Sequence, residues 1–142
     1  MSWRRLSAAA ALVGAAAAAS ALMLGGTGRA QASGLPRCAQ PHGRAALPAA
    51  LARFPLPKGT VLERKQLKYG YVFYSGYAPG AINPARDFFV SRLPAAGFVL
   101  GAGDAEVAEA EAAYFGHGVH GRWKVRAVDG CPGALTIQIA VR

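Results

Sequence analysis

Apolar side chains occupy every second position at the C-terminal end of the chain, and polar or small residues fill the positions between them. Successive side chains of a strand point to opposite faces of a sheet, so this period of two predicts a strand over residues 135–142 with one wet face. A turn containing glycine and proline over residues 129–133 leads into it. The apolar positions of the strand are Leu135, Ile137, Ile139 and Val141.

A second alternating stretch lies a little earlier, and its cations are Arg122, Lys124 and Arg126. The segment before it, residues 105–115, is ambiguous, because alanine and glutamate favour a helix by propensity whereas their alternation favours a strand. A hairpin folded about residues 116–121 would place Glu109 and Glu111 opposite the cations. We therefore predict that residues 105–115 form a strand.

Two more extended stretches, residues 60–67 and 69–77, are rich in β-branched and aromatic residues, and residues 68–70 separate them. This arrangement predicts a hairpin. The second stretch has apolar side chains on both faces, which is typical of a central strand that a helix covers on one side.

One amphipathic helix is predicted over residues 84–93. Asn83 is its expected N-cap, because its side chain can accept a backbone N–H, and Pro84 fits a first helical position that needs no donor. Pro94 and then Gly97 are expected to end the helix. A short strand and a turn follow, over residues 98–100 and 101–104.

Strands that are polar on one side indicate an antiparallel sheet with one face in water, and the single helix can cover the other face. We predict an α+β fold with an antiparallel sheet of about five to six strands and one helix packed on one face. This single small domain spans residues 59–142. Residues 33–58 are rich in proline and arginine, lack acids, and are predicted to form an irregular arm.

The N-terminal segment has the layout of a secretory signal peptide over residues 1–32. Arg4 and Arg5 precede an uncharged, alanine-rich run over residues 6–24, and small residues stand where a signal peptidase would cut after Ala32. A permanent anchor is the alternative, but alanine contributes little transfer energy. We predict export by the general or the twin-arginine route, with no permanent membrane span after cleavage.

The chain has two cysteines, Cys38 and Cys131. In an oxidising compartment a pair without other partners is most simply a disulfide, and there is no CxxC motif to suggest a metal or redox pair. The prediction is a bridge that closes nearly the whole mature chain.

The formal net charge of +9 indicates an anionic partner. Candidate binding residues on the first hairpin are Lys65, Lys68 and Tyr71, and candidates on the later one are His117, His120 and Arg122. The expected function is that of a small non-catalytic binding module in the cell envelope or outside the cell, with an anionic envelope polymer or another exported protein as its partner. Nucleic acid is not expected at that location, and no cofactor is predicted.

Two alternatives stay open. His117 and His120 could together contribute to a weak metal site, although a third ligand such as His42 or Glu111 would be needed. An envelope-acting hydrolase with a dispersed histidine and glutamate site is the other alternative, since no GxSxG elbow or recognisable triad is present and no catalytic residue can be named.

Overall fold

A computed structural model describes residues 34–142, and the predicted signal peptide with its cut after Ala32 lies outside this range. The strands pair antiparallel throughout, and the helix stands between the second and third strands along the chain. The sheet has six strands in the order β1-β2-β6-β5-β4-β3. The elements are β1 (Val61–Lys68), β2 (Tyr71–Pro79), α1 (Ile82–Ala95), β3 (Val99–Ala105), β4 (Glu109–Gly116), β5 (Val119–Ala127) and β6 (Ala134–Val141). The α+β fold with one antiparallel sheet and one helix is thereby confirmed.

Both long hairpins close through two-residue turns. Tyr69 and Gly70 have φ values of 53° and 75°, and His117 and Gly118 have values of 52° and 77°. Two successive residues with positive φ define the turn that matches the right-handed twist of paired strands. The second turn is therefore tighter than the predicted loop over residues 116–121, and His120 lies within β5 rather than at the tip.

The helix begins earlier than predicted. Its N-cap is Ala81, with no side-chain capping bond, so the assignment of Asn83 as N-cap is wrong. Pro84 still falls in the first turn, where its missing N–H costs no helical hydrogen bond. At the other end Gly97, with φ of 88°, lets the Phe98 N–H donate to the Leu93 carbonyl at 3.0 Å. This left-handed cap confirms Gly97 as the stop, whereas Pro94 lies inside the helix and does not end it.

Residues 101–104 do not form the predicted turn but continue β3. Gly103 lies opposite Ala112 in β4. The register of the two strands shifts between Leu100 and Gly103, where β3 has a bulge. The chain reverses later, where the Glu106 N–H donates to the Glu109 carbonyl at 2.7 Å. Glycines without side chains to pack are weak strand formers, so the local sequence suggested a turn where pairing with β4 imposes a strand.

Within the predicted strand over residues 105–115, residues 109–115 belong to β4, whereas Ala105 ends β3 and residues 106–108 connect the two strands. Glu109 and Glu111 lie opposite Arg126 and Lys124, as predicted. Propensity alone would have favoured a helix here. The pairing with β5 on one side and β3 on the other decides the conformation, because tertiary contacts outweigh a weak local preference.

The core lies between α1 and one face of the sheet. Phe89 of α1 stacks on Trp123 of β5 with ring centroids 4.7 Å apart. The N-terminal arm reaches into the same core, where Phe54 lies 4.9 Å from the ring of Tyr114 and 5.5 Å from that of Phe98. Large aromatic side chains dominate the apolar area that such a small domain buries.

A disulfide joins Cys38 in the arm to Cys131 in the loop between β5 and β6, across a sequence separation of 93 residues. The predicted bridge is confirmed. Within residues 34–142, no helix is long and apolar enough to cross a membrane.

Candidate functional site

The sheet has one face away from the helix, here called the open face. Strand register defines it: Tyr74, Trp123 and Ile139 point into the core, so their neighbours along each strand point the other way. The open face carries aromatic residues on β2 and cations on β5. Its members near the middle of the sheet are Tyr71, Phe73, Ser75, Tyr77, Glu109, Glu111, His120, Arg122, Lys124, Arg126 and Gln138.

One end of the open face is aromatic. The Tyr71 ring lies 6.4 Å from Phe73 and 6.2 Å from the His120 imidazole, which meets it edge-on. Ala140 stands between Phe73 and Arg122 in register, and this small residue is itself buried. A half-exposed aromatic pair beside a guanidinium is suited to stacking on a sugar ring or holding an anion.

The centre of the open face holds an ion-pair cluster. Arg122 lies 2.6 Å from Glu111, and Lys124 lies 2.8 Å from Glu109 and 3.3 Å from Glu111. The hydrogen bond that Lys124 donates to the Glu109 carboxylate is the main reason that the pKa of Lys124 is raised, while partial desolvation opposes it. These pairs are solvent-accessible, so they orient the side chains more than they stabilise the fold.

The other end of the open face forms a shallow pocket of about 360 Å³. Arg64 and Arg126 line it, and within residues 34–142 neither forms an ion pair. Lys124 and the acids Glu63 and Glu109 also line it, so the pocket carries three cations and two carboxylates. Hydroxyl-bearing and amide side chains complete its polar lining. These are Ser75, Tyr77, Thr136 and Gln138.

Four of the six predicted binding residues meet on the open face: Lys68, Tyr71, His120 and Arg122. Two do not. Lys65 lies opposite Tyr74 and therefore on the core-side face, with its Nζ 5.8 Å from that ring. His117 turns towards the end of the helix, where its Nε2 lies 2.9 Å from the Ala96 carbonyl oxygen and its ring 4.8 Å from Phe98.

Sequence reasoning missed Phe73, Ser75 and Tyr77, although they share the strand parity of Tyr71. It also missed that Lys124 and Arg126 belong to the same surface as that tyrosine. The first omission could have been found from the period of two. The second omission concerns the strand order, in which β6 lies between β2 and β5. No local sequence pattern predicts that order.

The two imidazoles considered for a metal site have different surroundings, with His117 against the helix end and His120 against Tyr71. No group of three histidine, cysteine or acidic residues within residues 34–142 could hold a metal ion. In the same part of the chain, no imidazole ring hydrogen-bonds to a hydroxyl or carboxylate side chain. The structure therefore adds no support to the metal or the hydrolase alternative.

Comparison with protein families, with curated proteins and with solved structures finds no match for this chain. Its function is therefore argued from its own residues.

Proposed function

We propose that this protein is a small exported, non-catalytic module that binds an anionic polysaccharide of the cell envelope through its open face. The observation that carries the proposal is the juxtaposition of the Tyr71 and Phe73 rings with a row of cations on β5. Aromatic faces stack on the apolar side of sugar rings, and guanidinium groups bind carboxylate or phosphate in bidentate fashion.

Export is supported by two observations of different kind. The disulfide between Cys38 and Cys131 is a bond that persists in oxidising compartments. The leader sequence before Ser33 has the charge and hydropathy of a signal peptide. Mass spectrometry of the protein released by its producing cell should find Ser33 at the N-terminus, and an intact Met1 or an acylated Cys38 would contradict this assignment.

The binding proposal is tested with purified protein and two soluble glycans, the polyanion polygalacturonate and neutral dextran. Binding to the polyanion should weaken steeply when salt rises from about 0.05 M to about 0.5 M, because mobile ions screen the β5 cations. Dextran should bind much more weakly at either salt concentration. Equal binding to both glycans, or binding that is indifferent to salt, would refute an electrostatic role for the open face.

Point variants locate the binding surface. Arg126→Gln removes an unpaired cation of the open face, whereas Lys65→Gln removes a cation that lies on the other side of the sheet. Both changes lower the net charge by the same amount. Loss of polygalacturonate affinity in the first variant alone supports the open face, and equal losses would show that only overall charge matters.

A further inference from the structure

The exposed apolar side chains of this protein gather at one end of the sheet. This end, here called the turn end, contains the β1–β2 turn at residues 69–70, the β4–β5 turn at residues 117–118 and the C-terminus of α1. Within residues 34–142, four of the six large apolar side chains that are exposed lie here. They are Leu67, Tyr69, Val99 and Phe115, which are 73%, 84%, 67% and 49% exposed.

The turn end carries cations but no acidic side chain. Lys68 ends β1, Arg92 lies in the last turn of α1, and Arg53 lines a shallow pocket together with His117. All acidic residues of the chain lie further from this end. In β4 the closest is four residues before Phe115, or about 13 Å along the strand. The seven acids are Glu63, Asp87, Asp104, Glu106, Glu109, Glu111 and Asp129.

Tyr69 occupies a backbone position that disfavours a large side chain. Its φ of 53° lies in the left-handed region, where this type of turn prefers asparagine or glycine. In the other turn His117 has a φ of 52°, but its imidazole contacts the Ala96 carbonyl oxygen and the Phe98 ring. The Tyr69 ring stays exposed, with the Lys68 Nζ 4.9 Å from its centre. Neither the turn nor the core selects a tyrosine here, and such strain on an exposed residue points to a function.

We propose that the turn end docks on an anionic lipid bilayer, with Leu67 and Tyr69 inserted at the headgroup boundary and with Arg53, Lys68 and Arg92 attracting the lipid phosphates. Tyrosine is enriched at membrane–water interfaces, because its ring is apolar and its hydroxyl finds hydrogen-bond partners in the wet headgroup layer. Apolar insertion and attraction to anionic lipids together hold a protein on a membrane surface.

The placement of the apolar side chains favours a bilayer over a protein partner. Leu67 lies opposite Val72, which faces the core side of the sheet, whereas Phe115 lies opposite His120 on the open face. The exposed apolar side chains therefore belong to both sides of the sheet and share only its end. A protein interface needs a continuous, shape-complementary core, which this arrangement does not offer, whereas a deformable lipid surface needs no such match.

The experiment measures co-sedimentation of the processed protein with lipid vesicles. Vesicles of equal parts phosphatidylglycerol and phosphatidylcholine should bind it about tenfold more tightly than vesicles of phosphatidylcholine alone, because the cations require anionic lipid. Raising the salt concentration from about 0.05 M to about 0.5 M should weaken this binding, because mobile ions screen the cations. Equal binding to both kinds of vesicle would overturn the proposal.

Tyr69→Asn separates membrane contact from folding. Asparagine is preferred at this turn position, so the variant should unfold at a temperature no lower than the wild type, while its affinity for the anionic vesicles should fall about tenfold. Val107→Asn is the matched control. It removes a fully exposed apolar side chain between β3 and β4, at the opposite end of the sheet, and should change the affinity by less than about twofold. Equal affinities of the two variants would contradict the proposal.

An introduced indole reports insertion directly. In Tyr69→Trp the fluorescence emission should move to shorter wavelength when the anionic vesicles are added, because the indole leaves water. The wild type is the blank, since Trp123 is buried against α1 and should not respond. An unshifted emission would reduce the contact to charge alone and overturn the proposal. Sedimentation showing a lipid-free dimer that Tyr69→Asn dissociates would also overturn it and assign the turn end to a second copy.

Discussion

The two faces of the sheet differ in burial and in the side chains that they carry. On the covered face the side chains of β5 and β6 pack against α1 and are nearly inaccessible, whereas on the open face the same strands carry cations and amides. One strand therefore contributes alternate side chains to the core and to the open face. Substitutions on the covered face should change the free energy of unfolding, and those on the open face should change binding.

The largest effect is expected for Phe89→Ala on the covered face. Phe89 is inaccessible to solvent and stacks on Trp123, so its truncation should lower the free energy of unfolding by about 3–5 kcal/mol. Urea unfolding followed by circular dichroism measures the loss. Phe73→Ala on the open face is the matched control, with an expected loss near 1 kcal/mol because that ring is only partly buried. Similar losses in the two variants would remove the distinction between the faces.

The disulfide should come next in magnitude. Replacing both Cys38 and Cys131 with serine releases a constraint on nearly all of the described chain. The expected loss is about 2–4 kcal/mol in the free energy of unfolding, measured without reductant. The wild-type protein in reductant should show a loss of the same size, and an unchanged midpoint in both cases would show that the arm is held by packing alone.

The open face should respond in binding rather than stability. Tyr71→Ala removes the ring that contacts both Phe73 and His120, and we expect the affinity for polygalacturonate to fall roughly tenfold. Its free energy of unfolding should fall by less than about 1 kcal/mol. Titration calorimetry and urea unfolding together check both numbers, and intact affinity would remove the aromatic end from the binding surface.

Tyr114→Phe tests a polar contact within the covered face. The Tyr114 hydroxyl donates to the Ala140 carbonyl oxygen at 2.8 Å, and burial raises the pKa of this phenol above its usual range. The ring reaches that carbonyl across Gly121, where a Cβ would lie 1.9 Å from the same oxygen. Loss of the hydroxyl should cost about 1 kcal/mol of unfolding free energy. A cost near zero would show that Ala140 finds another donor.

The smallest effect concerns Lys124. Its pKa is raised in the folded protein, mainly by the hydrogen bond to Glu109, so its stabilising contribution is complete at neutral pH and is lost as pH rises through the raised pKa. Lys124→Gln should therefore cost roughly 0.5 kcal/mol near pH 7. The difference from wild type should shrink above the ordinary lysine value of 10.5, and a difference that persists at strongly alkaline pH would exclude an electrostatic origin.

The sequence predicts the elements better than it predicts their neighbours. Strict alternation in residues 135–142 was sufficient to predict β6, because it reflects the direction of successive side chains in a strand. Gly97 was sufficient to predict the end of α1, because it reflects a local backbone conformation. Residues 101–104 misled because their glycines are typical of turns, and only pairing with β4 makes them a strand. The prediction of Asn83 as N-cap was wrong because a residue with a good capping side chain does not always mark the start of a helix.

For the open face too, the sequence predicts how each strand presents its side chains but not which strands are neighbours. Period two places Arg122, Lys124 and Arg126 on one face, but only the strand order brings them next to the aromatic row of β2. Lys65 was misplaced although the period of two separates it from Lys68: the two residues are three positions apart in the regularly paired part of β1, so their side chains point to opposite faces.

The attachment of Cys38 to Cys131 also determines how the molecule carries a mechanical load. Tension applied upstream of Cys38 passes through the sulfur bridge into the loop before β6, next to the centre of the sheet. The chain between the two cysteines, which includes α1 and all strands from β1 to β5, is bypassed and carries no tension. In the oxidised state the load therefore runs along β6 alone, and pulling does not peel the sheet open one strand at a time from its edge.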